Sequence, residues 1–156
     1  MSPPVNLHAT VVAISGQGIL IRGAARSGKS SLALSLLRRA ELLGREAALV
    51  SDDQVFIETA GGGVEAVAPP SIRGLIEISG IGIVETASIE RVRLHLVVEL
   101  AAPEAIERMP ETRTAEIAGV AVWRITLPAR QAALGADILH SLLWCAGGQR
   151  QNSIPG

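Results

Sequence analysis

Tyrosine is absent from this sequence, phenylalanine occurs once and tryptophan twice, so the core has to be built from aliphatic side chains. The same shortage removes the aromatic platforms on which single-stranded nucleic acid stacks. Cysteine is scarce too. Cys145 stands alone, which excludes an internal disulfide and any cysteine-based metal cluster. A cytoplasmic protein is the simplest reading of that composition. Charge of one sign is not in excess: the formal net charge is −1. Without a basic stripe, no nucleic-acid partner is expected. The apolar runs stop well short of the ~20 residues that a membrane span requires. Met1–Thr10 lacks the basic head and apolar stretch of a signal peptide. No membrane association is expected.

What remains is a globular composition, 48% hydrophobic and 19% charged over 156 residues, which suits one domain. Val5–Ser15 reads as a β-branched strand, Gly16–Gly18 as a turn and Ile19–Arg22 as a second strand. After a glycine-bearing loop, Leu32, Leu36, Leu37 and Ala40 recur at helical spacing, so the segment Ser31–Leu43 is predicted helical, with Gly44 as its stop. Ala47–Val50 is a short strand that runs through Ser51-Asp52-Asp53 and continues in Val55–Glu58. Gly61–Gly63 predicts a hairpin turn between Phe56–Thr59 and Val64–Val67. Apolar residues alternate over Ile76–Val84. Arg91–Leu100 predicts a strand with Val92, Leu94, Leu96 and Val98 on one face and Val97 on the other. Ala102–Arg108 reads as a short helix, Val120–Leu127 as a strand and Arg130–Cys145 as a helix. The expected fold class is α/β, with helices flanking a mixed sheet. The expected domain covers residues 1–146, and the polar stretch 147–156 is expected to be a flexible tail.

The chemistry starts at Gly23-Ala24-Ala25-Arg26-Ser27-Gly28-Lys29-Ser30, which matches G-x-x-x-x-G-K-[ST]. Gly23 and Gly28 let the backbone turn without a Cβ clash, so that N–H groups can face phosphate. The helix beginning near Lys29 adds the positive end of its dipole. Lys29 brings a full charge to the β- and γ-phosphates, and the Ser30 hydroxyl is placed to ligate Mg²⁺. ATP with Mg²⁺ is therefore the expected ligand. An apolar strand before the loop and an amphipathic helix after it give the motif its proper context.

Asp52-Asp53 closes the apolar run Ala47–Val50. In a phosphate-loop fold, strand tips and the loop converge on one crevice. Strand alternation would point one carboxylate toward the metal and the other toward an acceptor. A solvated turn is the plainer alternative. Glu77 sits among apolar residues in Leu75-Ile76-Glu77-Ile78, where a cation would relieve a buried charge, unless alternation places it on a wet face. His8, Arg108 and Arg130 carry little meaning by spacing alone.

Together these segments resemble HPr kinase/phosphorylase, a bacterial enzyme that phosphorylates a serine of the phosphocarrier protein HPr. The resemblance covers its catalytic domain, from about His8 to about Arg130 and the final helix. Long members carry a further N-terminal domain, and the chain looks like the short form. His8-Ala9-Thr10-Val11-Val12 resembles the histidine ahead of the strand that enters the phosphate loop. Leu49-Val50-Ser51-Asp52-Asp53 resembles the paired aspartates at a strand end. Leu75-Ile76-Glu77-Ile78-Ser79-Gly80-Ile81-Gly82-Ile83-Val84 resembles the family signature. Glu107-Arg108-Met109 resembles the segment with a catalytic arginine, and Leu127-Pro128-Ala129-Arg130 the start of a loop tied to the reverse reaction.

The resemblance implies a phosphate-loop, mixed-sheet fold of the HPr kinase and phosphoenolpyruvate carboxykinase type. It implies that Gly23–Ser30 binds ATP and that Ser30 and Glu77 ligate Mg²⁺, with Asp52 supporting the metal or its water shell. Asp53 would accept the serine proton, His8 would orient the site and Arg108 would stabilise the transferred phosphoryl group. The implied partner is an HPr-type phosphocarrier of a phosphotransferase system. Long members form hexamers, which leaves a homo-oligomer open here. Ser79 stands where the signature usually has arginine, and Gln131-Ala132-Ala133 replaces the Pro, Gly and second Arg of the later loop. These departures leave the reverse, phosphorylase reaction open. Two other readings keep the same loop: a small-molecule kinase, and an ATP-sensing regulatory module without catalysis.

Overall fold

The computed structural model describes residues 3–143, so the expected tail at 147–156 and the boundary at residue 146 lie outside the described residues. The elements follow in the order β1 (Val5–Leu7), β2 (Thr10–Ile14), β3 (Gln17–Gly23), α1 (Lys29–Leu42), β4 (Ala47–Ser51), β5 (Val55–Ala60), β6 (Gly63–Val67), β7 (Leu75–Ile78), β8 (Gly82–Glu85), β9 (Arg91–Ala101), β10 (Thr114–Ile117), β11 (Val120–Pro128) and α2 (Ala132–Leu143). The fold is α/β, as expected. A nine-stranded mixed sheet runs β1-β5-β6-β9-β3-β2-β4, with β11 parallel to β9 and β10 antiparallel to β11. Strands β7 and β8 form a separate hairpin.

Several expectations need correction. The first predicted strand breaks at His8-Ala9 into β1 and β2, which join different neighbours: β1 pairs with β5, and β2 with β3 and β4. The turn before β3 is Ser15-Gly16, both at positive φ, so Gln17 and Gly18 already belong to the strand. Strands β4 and β5 are separate, because the chain bends at Asp52-Asp53. Ala102–Arg108 holds only a single 3-10 turn at Pro103–Ala105; Pro103 pre-sets the turn, and no apolar stripe extends it. Strand β10 was not foreseen.

The middle of the sheet is buried on both faces, so apolar residues follow one another there without alternation, as in Val11–Ile14, Ile19–Ile21 and Leu96–Val98. Val12, Ile14, Ile19, Ile21, Leu96 and Val98 pack with Leu32, Leu36, Leu37 and Ala40 of α1 and with Leu139 of α2. Val11, Ala13, Leu20 and Val97 fill the opposite core with Val50, Val55, Ile57 and Val64. The alternation expected along β9 fails at one point. Gly18 pairs with Leu94 but Ile19 pairs with Leu96, so His95 is an extra residue, a β-bulge. Val92 and Leu94 therefore share a core with Val97, while Leu96 and Val98 face the helices.

Leu36 is fully buried between α1 and the sheet. Leu36→Ala is expected to lower stability by about 3 kcal/mol, the middle of the range for a buried leucine deletion, as read by urea unfolding.

His140 ties α2 to α1. Arg45 can only donate, so its Nη1, 2.8 Å from His140 Nδ1, identifies Nδ1 as the acceptor. His140 Nε2 then donates to the Leu36 carbonyl at 3.2 Å. Burial holds the imidazole below its ordinary pKa. The Leu36 carbonyl and Asp137 oppose that shift, and Arg45 and Arg39 reinforce it. Burial acts in the same direction on His95. The unfolded chain thus binds more protons than the native state just below the ordinary histidine pKa of about 6.5. Stability from the neutral rings is full above that value and is lost as pH falls through the folded pKa. His140→Gln, which preserves a donor and an acceptor, is expected to flatten the fall in melting temperature between about pH 7 and pH 5.5. Parallel curves for the two proteins would contradict this.

Candidate active site

Strand β2 is antiparallel to both β3 and β4, so its first residue lies beside their last ones. Strands β9 and β11 run parallel to β3 and end at the same level, where Gly23 pairs with Leu100 and Pro128 with Ala101. The C-terminal ends of these strands therefore meet the phosphate loop at one edge, the usual place for a ligand in an open α/β sheet.

The loop leaves β3 at Gly23 and enters α1 at Lys29. Gly28 has φ +96°, a left-handed value that suits glycine. Gly23 is needed for space instead: a Cβ there would lie 2.7 Å from Ser27 Oγ and 3.0 Å from the Leu100 carbonyl oxygen. The second left-handed residue of the loop is Arg26, with φ +65°. Helix α1 has no side-chain cap, so its first N–H groups are available to an anion. Lys29 is 8% exposed and donates from Nζ to the carbonyls of Gly23 (3.0 Å) and Ala24 (3.2 Å). The loop is tied to the end of β11 by Arg130 N–H, which donates to the Ser27 carbonyl at 2.9 Å.

Asp52 is buried, at 7% exposure, and accepts three hydrogen bonds. Ser30 Oγ (2.7 Å) and Thr10 Oγ1 (2.9 Å) both reach Oδ1, and the Glu77 N–H reaches Oδ2 at 3.0 Å. Asp53 turns the other way. Its φ is +72°, its side chain is 59% exposed, and Oδ1 lies 2.9 Å from His8 Nε2. The two carboxylates diverge as anticipated, but the cause is this bend and not strand alternation.

An open cleft of about 780 Å³ collects His8, Lys29, Ser30, Asp52, Asp53, Glu77 and Arg130, along with Ala25, Arg26 and Gly28 of the loop. Arg108 is not among them. It lines a neighbouring cavity of about 1030 Å³ that meets the cleft at His8. Glu77 is exposed, which removes the expectation of a buried charge; its backbone, not its carboxylate, holds Asp52. Ser79 lines the cleft as well.

The chain carries its own marks of an anion and cation site. The uncapped helix start and the charge of Lys29 suit phosphate, and the buried Ser27 Oγ has no hydrogen-bond partner among the described residues. Ser30 gives its proton to Asp52 and keeps oxygen lone pairs for a cation. Among the described residues, no group of three or more His, Cys, Asp or Glu converges on one point. That donor set fits a hard ion held largely by phosphate oxygens and water, as Mg²⁺ is.

The family model of the HPr serine kinase C-terminal domain matches residues 1–146. The chain belongs to this family. The HPr kinase/phosphorylase of Burkholderia lata is 32% identical over 149 residues, covering 88% of this chain and 44% of that protein. The Burkholderia cenocepacia protein of the same name matches to the same extent. The chain thus spans less than half the length of these relatives. The solved Hpr(Ser) kinase/phosphatase from Coxiella burnetii aligns with a TM-score of 0.73 at 30% identity, over 86% of this chain and 93% of that one. Among the described residues, no helix is long and apolar enough to cross a membrane.

Sequence reading missed two features of this family member. Thr10 is wholly buried between Ala9 and Val11, and the one signal was a hydroxyl inside an apolar run. The other is the cluster in which Arg22 and Arg124 both pair with Glu99, at 2.7 and 3.3 Å, in the wall of the neighbouring cavity. Its members come from three adjacent strands and share no local pattern.

Proposed function

We propose that this domain is an ATP- and Mg²⁺-dependent kinase that phosphorylates a serine of an HPr-type phosphocarrier protein. The observation that carries the reading is the single cleft in which Lys29 and Ser30 face Asp53 and His8. Phosphoryl transfer needs positioning and charge neutralisation more than covalent chemistry from the protein, and this cleft offers both.

Lys29 and the start of α1 bind the β- and γ-phosphates of ATP. Ser30 and Glu77 hold Mg²⁺, and Asp52 fixes Ser30 through its 2.7 Å hydrogen bond. The bound ion supplies neutralisation of the phosphate charge. The acceptor serine enters from the open side, where Asp53 and His8 are exposed. Asp53 takes the hydroxyl proton as the serine oxygen bonds to the γ-phosphorus and the bond to ADP breaks. His8 fixes the rotamer of Asp53 by its 2.9 Å contact. Arg130 lies closer to this chemistry than Arg108, since it lines the cleft itself. Arg108 stabilises the transferred phosphoryl group from the neighbouring cavity, which meets the cleft at His8.

The test is the mass of an HPr-type acceptor after incubation with this protein and Mg²⁺–ATP. One phosphoryl group on serine supports the reading, and inorganic phosphate added to the product then tests reversal. Tight ATP binding with an unchanged acceptor would overturn it and favour an ATP-sensing module.

A further inference from the structure

The tripeptide His8–Thr10 brackets the acidic pair from one side. Its first residue meets the Asp53 side chain, and its third meets both aspartates through one oxygen. Thr10 Oγ1 donates to Asp52 Oδ1 at 2.9 Å and accepts the Asp53 N–H at 3.2 Å. The hydroxyl thereby uses its proton and a lone pair in a fully buried place.

Each bond has a consequence. Oδ1 of Asp52 already accepts from Ser30, so a second donor on the same oxygen fixes the carboxylate plane, with the Glu77 N–H holding Oδ2 at the far end. The orientation of Ser30 follows from that of Asp52. The bond from Asp53 N–H ties down a residue at φ +72°, a sparsely populated conformation for a side-chain-bearing residue. The direction of its carboxylate follows from that bend.

We propose that Thr10 is a positioning residue for phosphoryl transfer, its hydroxyl holding Asp52 and Asp53 in fixed relation to Ser30. This rests on the kinase reading above. Valine has nearly the same shape and keeps the β-branch that suits β2, so Thr10→Val removes the hydroxyl with little else. Thr10→Ser keeps the hydroxyl and removes a methyl group.

Two measurements test it, each with a melting curve to show that the variants are folded; Thr10→Ala replaces Thr10→Val if the latter does not fold. In the transfer assay, Thr10→Val is expected to lower kcat about 30-fold at saturating Mg²⁺–ATP and to raise KM for Mg²⁺–ATP by up to about tenfold, and Thr10→Ser to stay within about threefold of the parent in both. In the second, the Mg²⁺ concentration that half-saturates the complex with a non-hydrolysable ATP analogue is expected to rise about tenfold in Thr10→Val and to return to the parent value in Thr10→Ser. This arm needs no acceptor. Absence of transfer by the parent protein would therefore sink the kinase reading while the Mg²⁺ titration still decides the role of Thr10. Equal Mg²⁺ dependence in the parent and Thr10→Val overturns the proposal, and so does a Thr10→Ser variant as impaired as Thr10→Val.

Discussion

Asp53→Asn should lower phosphoryl transfer to the acceptor by about a thousandfold while leaving ATP affinity within about threefold. The two effects separate because, among the described residues, Asp53 has no hydrogen bond or ion pair to the phosphate loop whose cleft it shares. Its carboxylate contacts His8, and its N–H contacts Thr10. Asparagine has the same size and is among the residues that best tolerate a left-handed φ, so the bend at +72° survives the change. What disappears is a group able to take the serine proton. Single-turnover kinetics with the phosphocarrier, beside a nucleotide-binding titration, checks both halves. Transfer that persists in Asp53→Asn would show that another group is the base, and a parallel loss of ATP affinity would show that Asp53 belongs to the nucleotide site.

The second large effect is expected from Lys29→Met. Methionine retains the length and apolar stem but loses the ammonium group, and ATP affinity is expected to fall by about a hundredfold or more. Charge-assisted hydrogen bonds contribute about 1.5–3 kcal/mol each, and a hundredfold corresponds to about 2.7 kcal/mol. The mutation also leaves the carbonyls of Gly23 and Ala24 without the donor they have now, so the loop itself loosens. Isothermal titration with Mg²⁺–ATP measures the loss directly. Affinity within about threefold of the parent would mean that the loop N–H groups carry the phosphates without the charge.

Local chemistry was legible residue by residue. The loop motif identified Lys29 and Ser30, and the apolar run before Asp52-Asp53 identified a strand end. The resemblance then drew His8 and Glu77 to the same place, and the fold brings all of these to one cleft. The reading fell short wherever partners were distant in sequence. The apolar neighbours of Glu77 leave a buried and a wet carboxylate equally open; among the described residues β7 pairs with β8 alone, and Glu77 is exposed. Asp52-Asp53 reads as the end of an alternating strand, and Thr10, 43 residues before Asp53, instead holds a bend there. Spacing gives Arg108 no place at all, and the fold sets the loop that carries it along a second cavity.

By itself, the sequence determined that this chain builds an aliphatic α/β core, that a glycine loop precedes an amphipathic helix, and that phosphate is the ligand such a loop serves. Periodicity and loop chemistry are local, and a short window contains them whole. Only the tertiary structure decided which groups meet. Pairing of β2 with both β3 and β4 places Thr10 beside Asp52 and the phosphate loop. The bulge at His95 shifts the face of every later residue in β9. The arrival of β11 sets Arg130, not Arg108, against the loop. Register and pairing are settled by burying two cores at once, a condition on the whole sheet that no single stretch of sequence can state.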